Sequence, residues 1–187
     1  MVFFYVRPGD PFLQQGEIIS NLSELRLQIP KETSINAIRE PKFDPIVHPY
    51  VIVISQGCDL EWNHKARSGQ ASGQKLLTHV LLCGLFPREE IRDESKRRSE
   101  EFGRIKGQQN ERYHYLSAAP VNDTEDSLPE LIADFKNTFS LPIEFVYWLI
   151  SSGQVVREGK LLSPYLEDFV HRLYSFLGRV ATPVILP

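Results

Sequence analysis

The chain has 187 residues, of which 42% are hydrophobic and 24% charged, and its formal net charge is −3. This length and composition fit one folded domain over residues 1–187 and exclude a fully disordered protein. The weakly acidic charge excludes a nucleic-acid coat protein that is basic throughout. The two cysteines, Cys58 and Cys83, are too few for a disulfide framework, and the apolar runs are too short for a membrane span. We therefore expect a cytoplasmic protein without a membrane segment.

Short apolar segments between Pro and Gly predict strands in the first third of the chain. Residues 15–22 have strand length, and residues 25–29 alternate apolar and polar side chains, the period-two pattern of a half-buried strand. Residues 31–49 contain three prolines and are interpreted as a long loop. The run 50–55 (YVIVIS) is apolar and β-branched, which indicates a strand covered on both faces.

The rest of the chain predicts further strands and two helices. Residues 61–75 predict a polar loop, and strands are predicted at 76–86, 113–116, 131–135 and 145–150. The segment 88–102 predicts a solvated helix with i,i+4 ion pairs. Residues 163–178 predict an amphipathic helix with Ser163 at its N-cap and Pro164 at its first position. This order predicts a β-rich α+β domain, a small sandwich or barrel closed by a C-terminal helix.

The strand at 50–55 has polar side chains at its ends. The candidate catalytic residues there are His48, Ser55, Cys58 and Asp59. A rigid strand holds such residues in place, as a site requires. Ser55 or Cys58 would act as a nucleophile if His48, His64, His79 or His114 lay near enough to serve as its base. In a nuclease, His48 would be the base, because imidazole titrates near neutral pH. The alternative interpretation is a hydrogen-bonded Ser or Asx turn beside a small core cysteine.

The chain lacks the spacing of common metal and cofactor sites. It contains no C-x-x-C or H-x-x-x-H pair, and His79 and Cys83 would lie roughly 13 Å apart on a strand. It also contains no G-x-S-x-G, P-loop or G-x-G-x-x-G motif. We therefore expect neither a metal nor a cofactor.

Two basic segments are candidates for nucleic-acid binding. Residues 62–87 contain no Asp or Glu, and residues 104–115 (RIKGQQNERYHY) combine cations with tyrosines, a mixture that binds single strands by stacking. The candidate phosphate-binding residues are Lys65, Arg67, Lys75, Arg104, Lys106 and Arg112. The alternative interpretation is that Tyr113 and Tyr115, which share a strand face, belong to the core.

The order of these features resembles the MazF/PemK family of toxin endoribonucleases. The segments that carry the resemblance are, in chain order, Gly16-Glu17-Ile18-Ile19, 48–55 (HPYVIVIS), 76–85, Ala133-Asp134-Phe135-Lys136 and the helix at 163–178. Relative to the family, the chain has long insertions at 26–47, 61–75 and 87–112. The resemblance implies a small SH3-like β-barrel, a homodimer and a bacterial toxin–antitoxin or defence context.

Two departures from the family pattern bear on activity. His48 stands where the family has a catalytic Arg, and Cys83-Gly84-Leu85 stands where it has a Thr. We therefore expect a catalytically weak or inactive MazF-like binding module that recognises single-stranded RNA or a protein partner. One alternative is a divergent metal-independent endoribonuclease, in which Arg67 or Arg112 stabilises the phosphate. Another is a structural or regulatory subunit whose C-terminal helix packs on another chain.

Overall fold

The computed structural model describes residues 5–28, 42–89, 96–121 and 127–179. The strands are β1 Tyr5–Val6, β2 Glu17–Gln28, β3 Lys42–Val53, β4 His79–Pro87, β5 Tyr113–Leu116, β6 Ala119–Pro120, β7 Ser127–Leu128, β8 Leu131–Pro142 and β9 Val156–Leu161. The helices are α1 Gly57–Arg67, α2 Lys96–Lys106, α3 Ile143–Ser151 and α4 Tyr165–Leu177, with a short 3-10 helix at Gly73–Lys75.

One antiparallel sheet dominates the fold, which confirms the predicted strand-rich α+β class. Its strand order is β1-β9-β2-β3-β4-β8-β5, and β6 pairs with β7. Within the described residues the sheet is not closed into a barrel, but its two edge regions approach each other. The Tyr5 hydroxyl donates to the Ser117 carbonyl at 3.0 Å, and Tyr5 forms an isolated bridge with Val121. The sheet is therefore curled.

An apolar cluster lies on each side of the sheet. Helix α4 packs on one cluster with Phe169 and Leu173, and α3 packs on the other with Ile143, Val146 and Leu149. Successive residues of β3 alternate between the two clusters, so this strand is buried on both faces. The continuous β-branched run at 50–55 predicted that burial.

Two segments predicted as other structures are helical. The predicted loop at 61–75 is wrong, because α1 extends to Arg67 and the 3-10 helix follows. Helix α1 buries only Leu60 and Asn63, so the apolar periodicity of the helix is weak. The second of these residues is polar, and its Oδ1 accepts from the Leu77 amide at 3.0 Å. The predicted strand at 145–150 is wrong too. The three buried apolar residues of α3 recur at every third position, a helical spacing that the aromatic and β-branched run conceals.

Three further boundaries differ from the predictions. The predicted loop at 31–49 is wrong from residue 42 onwards, where β3 begins, and residues 29–41 lie outside the described residues. The helix predicted at 88–102 appears as α2, and residues 90–95 also lie outside the described residues. In α4, Pro164 rather than Ser163 occupies the N-cap position. The apolar pattern of the C-terminal helix is thus confirmed, while its start is shifted.

A buried ion pair fastens the N-terminal segment to the sheet. Glu17 is fully buried, and its carboxylate accepts from Arg157 Nε at 2.8 Å and Nη2 at 2.6 Å. Arg157 also donates to the carbonyls of Asp10 and Phe12, at 2.7 and 2.9 Å. Burial raises the pKa of Glu17, although Arg157 opposes that shift. The pair therefore fixes the chain that leads into β2.

Strands β2 and β3 continue beyond the sheet as a two-stranded arm, made of residues 21–28 and 42–49. Strand β9 pairs with residues 17–20 of β2, and β4 with residues 50–53 of β3, so within the described part of the chain the strands of the arm pair with each other alone. Eight residues per strand give the arm a length of about 25 Å. Asn21 at its base has φ of 59°, a left-handed conformation that interrupts the alternation of the strand.

The arm has an apolar and a charged face. The cross-strand pairs of the apolar face are Ser23–Val47, Leu25–Pro45 and Leu27–Phe43. The side chains of the opposite face are Leu22, Glu24, Arg26, Asp44, Ile46 and His48. Leu25 is 73% exposed and Val47 58% exposed. The alternation predicted at 25–29 is therefore present up to residue 28, where the described part of this strand ends. The described residues leave the apolar face of the arm largely uncovered.

Candidate functional site

The candidate catalytic residues lie far apart along β3 and beyond its end. His48 belongs to the arm, whereas Ser55, Cys58 and Asp59 follow the last residue of the strand. The extended backbone between His48 and Ser55 spans more than ~16 Å. Ser55 is buried, and its Oγ accepts from the Leu81 amide at 2.8 Å, which holds the chain after β3 against β4. The arrangement therefore keeps His48, the candidate base, away from this hydroxyl.

His48 instead forms a buried contact at the base of the arm. Its Nε2 lies 3.4 Å from Glu24 Oε1, and its ring stacks on Phe139 with the centroids 4.5 Å apart. Glu24 also accepts from Arg26. His48 therefore joins the arm to β8, away from the turn that carries the candidate nucleophiles.

Cys58 and Asp59 are exposed on the first turn of α1. The Cys58 Sγ lies 3.8 Å from Gln56 Oε1, and no side chain caps the helix. A pocket of about 240 Å³ adjoins this turn, and Gly57 and Lys160 line it. None of the described residues that line this pocket is a histidine. The described lining of this pocket thus supplies no imidazole base for the thiol.

Ion pairs already engage four of the six candidate phosphate-binding residues. The pairs are Lys65–Glu61, Arg67–Glu144, Lys106–Glu130 and Arg112–Asp134. Lys75 and Arg104 have no carboxylate partner among the residues that the structure describes. The acid-free stretch 62–87 is therefore not an unpaired basic surface, because Glu61 and Glu144, which lie outside the stretch in sequence, form ion pairs with two of its cations.

The second basic segment, 104–115, lines a cavity of about 260 Å³ between β5, the turn after α2 and the start of α4. The residues that line this cavity are Tyr5, Gln108, His114, Tyr115, Leu116, Ser117, Leu161, Tyr165 and Asp168. Three tyrosines contribute to the walls, and Asp168 is the only charged residue among the described residues that line it. We call this space the His114 cavity.

Arg172 of α4 fixes the turn that forms one wall of the His114 cavity. It donates to the backbone carbonyls of Gln108 at 2.9 Å, Asn110 at 2.8 Å and Tyr113 at 3.1 Å. The Asn110 Oδ1 also accepts from the Arg112 amide at 2.9 Å, a local turn hydrogen bond. The turn is therefore held both by its own side chains and by the helix opposite.

Three buried polar atoms in this region have no hydrogen-bond partner among the residues that the structure describes: His114 Nδ1, Gln108 Oε1 and Arg172 Nε. His114 is 3% exposed, and its ring packs edge-on against Phe169 with the centroids 5.2 Å apart. Burial lowers the pKa of His114 to about 3, and the nearby Arg172 adds to that shift, so the imidazole is neutral at physiological pH. Each unpartnered buried polar atom costs about 1–3 kcal/mol. Their clustering marks a place where a ligand can complete missing hydrogen bonds.

A wider groove of about 450 Å³ adjoins the His114 cavity along α4. The residues that line the groove are Glu111, Asp168, His171, Arg172, Ser175, Phe176 and Arg179. Asp168 lines both spaces, so they are neighbours at the start of α4. Arg179 pairs with Glu111 at 2.8 Å at the exposed rim. The groove therefore carries cationic side chains together with the carboxylates of Glu111 and Asp168, whereas the described lining of the cavity has no cation.

Sequence reasoning selected segment 104–115 but missed the residues that give it a cavity. Gln108 and His114 lie inside that segment and carry no motif of their own. Arg172 is about sixty residues away along the chain, so only the packing of α4 on β5 reveals it. In the described ranges, no group of three or more His, Cys, Asp or Glu is arranged to hold a metal ion. No helix in these ranges is long and apolar enough to cross a membrane.

No model of a known protein family matches the sequence, and no curated protein matches it either. The fold and the site define a strand-rich α+β protein with a polar cavity beside a cationic groove. The resemblance to MazF/PemK proteins rests on the order of sequence features alone.

Proposed function

We propose that the protein is a binding module for single-stranded RNA, of the MazF/PemK-like kind, which binds without efficient cleavage. The observation that carries this proposal is the cluster of three partnerless buried polar atoms within and beside segment 104–115. Unpaired bases supply hydrogen-bonding edges and flat faces that stack on tyrosine. The His114 cavity offers both kinds of contact.

The cations near the cavity support binding of the sugar–phosphate backbone. His171 and Arg179 line the groove, and Arg104 and Lys106 lie in the last turn of α2. The Lys106 Nζ lies 5.5 Å over the ring of Tyr115, which lines the cavity. Basic and aromatic side chains thus alternate at one place, the arrangement that single-strand binding uses.

The separation of His48 from Ser55 and Cys58 supports binding rather than cleavage. The alternative is the divergent endoribonuclease. RNA that stays intact on a gel after incubation with the protein excludes this activity under those conditions. The MazF/PemK relationship, the SH3-like barrel, the cytoplasmic location and the bacterial toxin–antitoxin context remain predictions from the sequence.

Fluorescence anisotropy with a labelled twelve-nucleotide single-stranded RNA tests the proposal. We expect binding at low salt that weakens roughly tenfold between 50 and 200 mM salt, because two or three phosphates are neutralised. Arg179→Ser lowers the affinity about threefold or more, whereas the matched control Lys75→Ser on the α1 side does not. Absence of single-strand binding at 50 mM salt would overturn the proposal.

The arm favours a second candidate function, self-association. The apolar face of the arm carries no charged side chain, so it can pack against the same face of a second copy. Arg26 and Asp44 lie on the opposite face and stay in water in such a dimer. Face-to-face packing of two arms of this length buries roughly 1,000 Å² over both copies, which is the range of weak specific interfaces. We therefore propose a weak homodimer through the arm. Sedimentation over a concentration series distinguishes it from a monomer.

A further inference from the structure

We infer that the His114 cavity is a pocket for one unpaired base of the bound strand, with guanine preferred over uracil. The inference rests on the proposed function and adds to it the part of the RNA that is read. It depends on the size of the cavity, on its charge relative to the groove and on the kind of polar atom that it leaves unpaired.

The size of the cavity fits a single ring system. Its volume of about 260 Å³ lies below the roughly 300 Å³ at which pockets for drug-sized ligands begin, so a whole nucleotide does not fit. Tyr5 and Tyr115 stand in its lining. The Tyr5 hydroxyl is engaged with the Ser117 carbonyl, and the Tyr115 hydroxyl with Glu130 at 2.5 Å. Because Tyr5 is only 1% exposed, it forms a closed wall of the cavity, and the half-buried Tyr115 is the ring of this pair that can stack on a ligand.

The charge distribution separates the base from the phosphate. Among the described lining residues, Asp168 is the only charged group of the cavity, and a carboxylate repels phosphate. The neighbouring groove contributes Arg172 and Arg179 beside the carboxylates of Glu111 and Asp168. Among the described lining residues, cationic side chains for a phosphate are therefore present in the groove and absent from the cavity. This difference favours a neutral base in the cavity and its phosphate in the groove.

The unpaired atoms of the cavity are mainly acceptors. Gln108 Oε1 is an acceptor, and it is the unpaired atom of this amide because the nitrogen already donates to the Tyr115 carbonyl at 3.0 Å. The Asp168 carboxylate also accepts only, and the neutral His114 ring has one acceptor nitrogen. Guanine presents two neighbouring N–H groups, N1–H and the N2 amine, on its Watson–Crick edge. Uracil presents a single N–H there, so the excess of acceptors favours guanine.

Competition anisotropy with three hexanucleotides tests the inference. They are six uridines, the same strand with one guanine at the third position, and the same strand with one adenine there. We expect the guanine strand to bind about five- to a hundredfold more tightly than the uridine strand, the range of one well-made base contact. Gln108→Met removes an acceptor at nearly constant length, and Asp168→Asn removes the charge at an exposed position. Each lowers the affinity for the guanine strand towards that for uridine, while the neighbouring control Gln109→Met does not.

The outcomes separate this inference from the proposed function. Equal affinity of the wild-type protein for all three strands overturns the base pocket and leaves RNA binding intact. A guanine preference that survives in both Gln108→Met and Asp168→Asn also overturns it. Failure of every strand to bind at 50 mM salt overturns the proposed function itself. A thermal melt of each variant shows that the fold is retained, and Asp168→Asn provides the test if Gln108→Met does not fold.

Discussion

The arm and the His114 cavity depart from ordinary protein packing in opposite ways. The arm exposes apolar side chains that folded proteins usually cover, with Leu25 at 73% exposure. The cavity region buries polar atoms that folded proteins usually pair, on His114, Gln108 and Arg172. The first departure leaves hydrophobic surface available, and the second leaves hydrogen-bonding capacity available.

The contrast indicates different kinds of partner for the two regions. An uncharged apolar face gains free energy from any complementary apolar surface, so it selects by shape and supports association with another protein copy. Buried donors and acceptors gain only from a ligand whose polar groups match them, so they select by chemistry. The cavity is therefore the better candidate for specific recognition, and the arm for assembly.

Stability measurements give the largest expected contrast between the two regions. Phe169→Ala removes a ring that packs against Phe135 and His114, so we expect the free energy of unfolding to fall by about 3–5 kcal/mol. Leu25→Ala removes an exposed side chain, so we expect a change within ~0.5 kcal/mol. Urea denaturation at low protein concentration measures both. A loss of more than about 1 kcal/mol for Leu25→Ala would mean that part of this chain covers the apolar face.

The second prediction concerns the acid sensitivity that His114 gives to the cavity side. The pKa of His114 is about 3 in the folded protein and 6.5 in its unperturbed state, so the unfolded chain binds more protons between those values. Stability therefore falls as the pH falls through this window, by up to about 1.4 kcal/mol per pH unit. His114→Phe removes the titrating group and should make the slope between pH 6 and pH 4 shallower by that amount. Parallel pH profiles for the two proteins would contradict the buried, neutral imidazole.

The smallest expected effect concerns the arm. Val47→Glu places a charge on the apolar face, so we expect it to abolish self-association while changing the stability of the monomer by ~0.5 kcal/mol or less. Leu177→Glu, at a comparably exposed apolar position at the end of α4, is the matched control and should leave association unchanged. Sedimentation velocity at increasing concentration measures both. A wild-type protein that stays monomeric at several hundred micromolar would remove the arm as a dimer interface.

The sequence predicts those parts of the fold whose residues carry a strong local signal. The β-branched run of β3 and the apolar stripe of α4 are visible in the sequence because each repeats at the period of its element. Helix α1 is hidden because it buries only Leu60 and Asn63. Pro45 and Pro49 make residues 42–49 look like a loop in the sequence. The strand accommodates both prolines because this part of β3 pairs with β2 and not with β4.

The site is less predictable than the fold, because it depends on residues that are distant along the chain. Segment 104–115 stands out through its cations and tyrosines, but its cavity exists because Arg172 holds the turn and Phe169 packs against His114. The candidate catalytic set fails to assemble for the opposite reason. His48 and Ser55 are near in sequence, but the extended strand between them keeps them apart.

The central claim is that RNA binds at the His114 cavity and the adjoining groove. Titration of the ¹⁵N-labelled protein with the guanine-containing hexanucleotide, followed by amide chemical shifts, tests it most directly. We expect the largest shifts in residues 107–117 and 168–179, with those of α1 and of residues 21–28 in the arm unchanged. Shifts confined to α1 or to the arm, with the cavity residues unmoved, would contradict the claim.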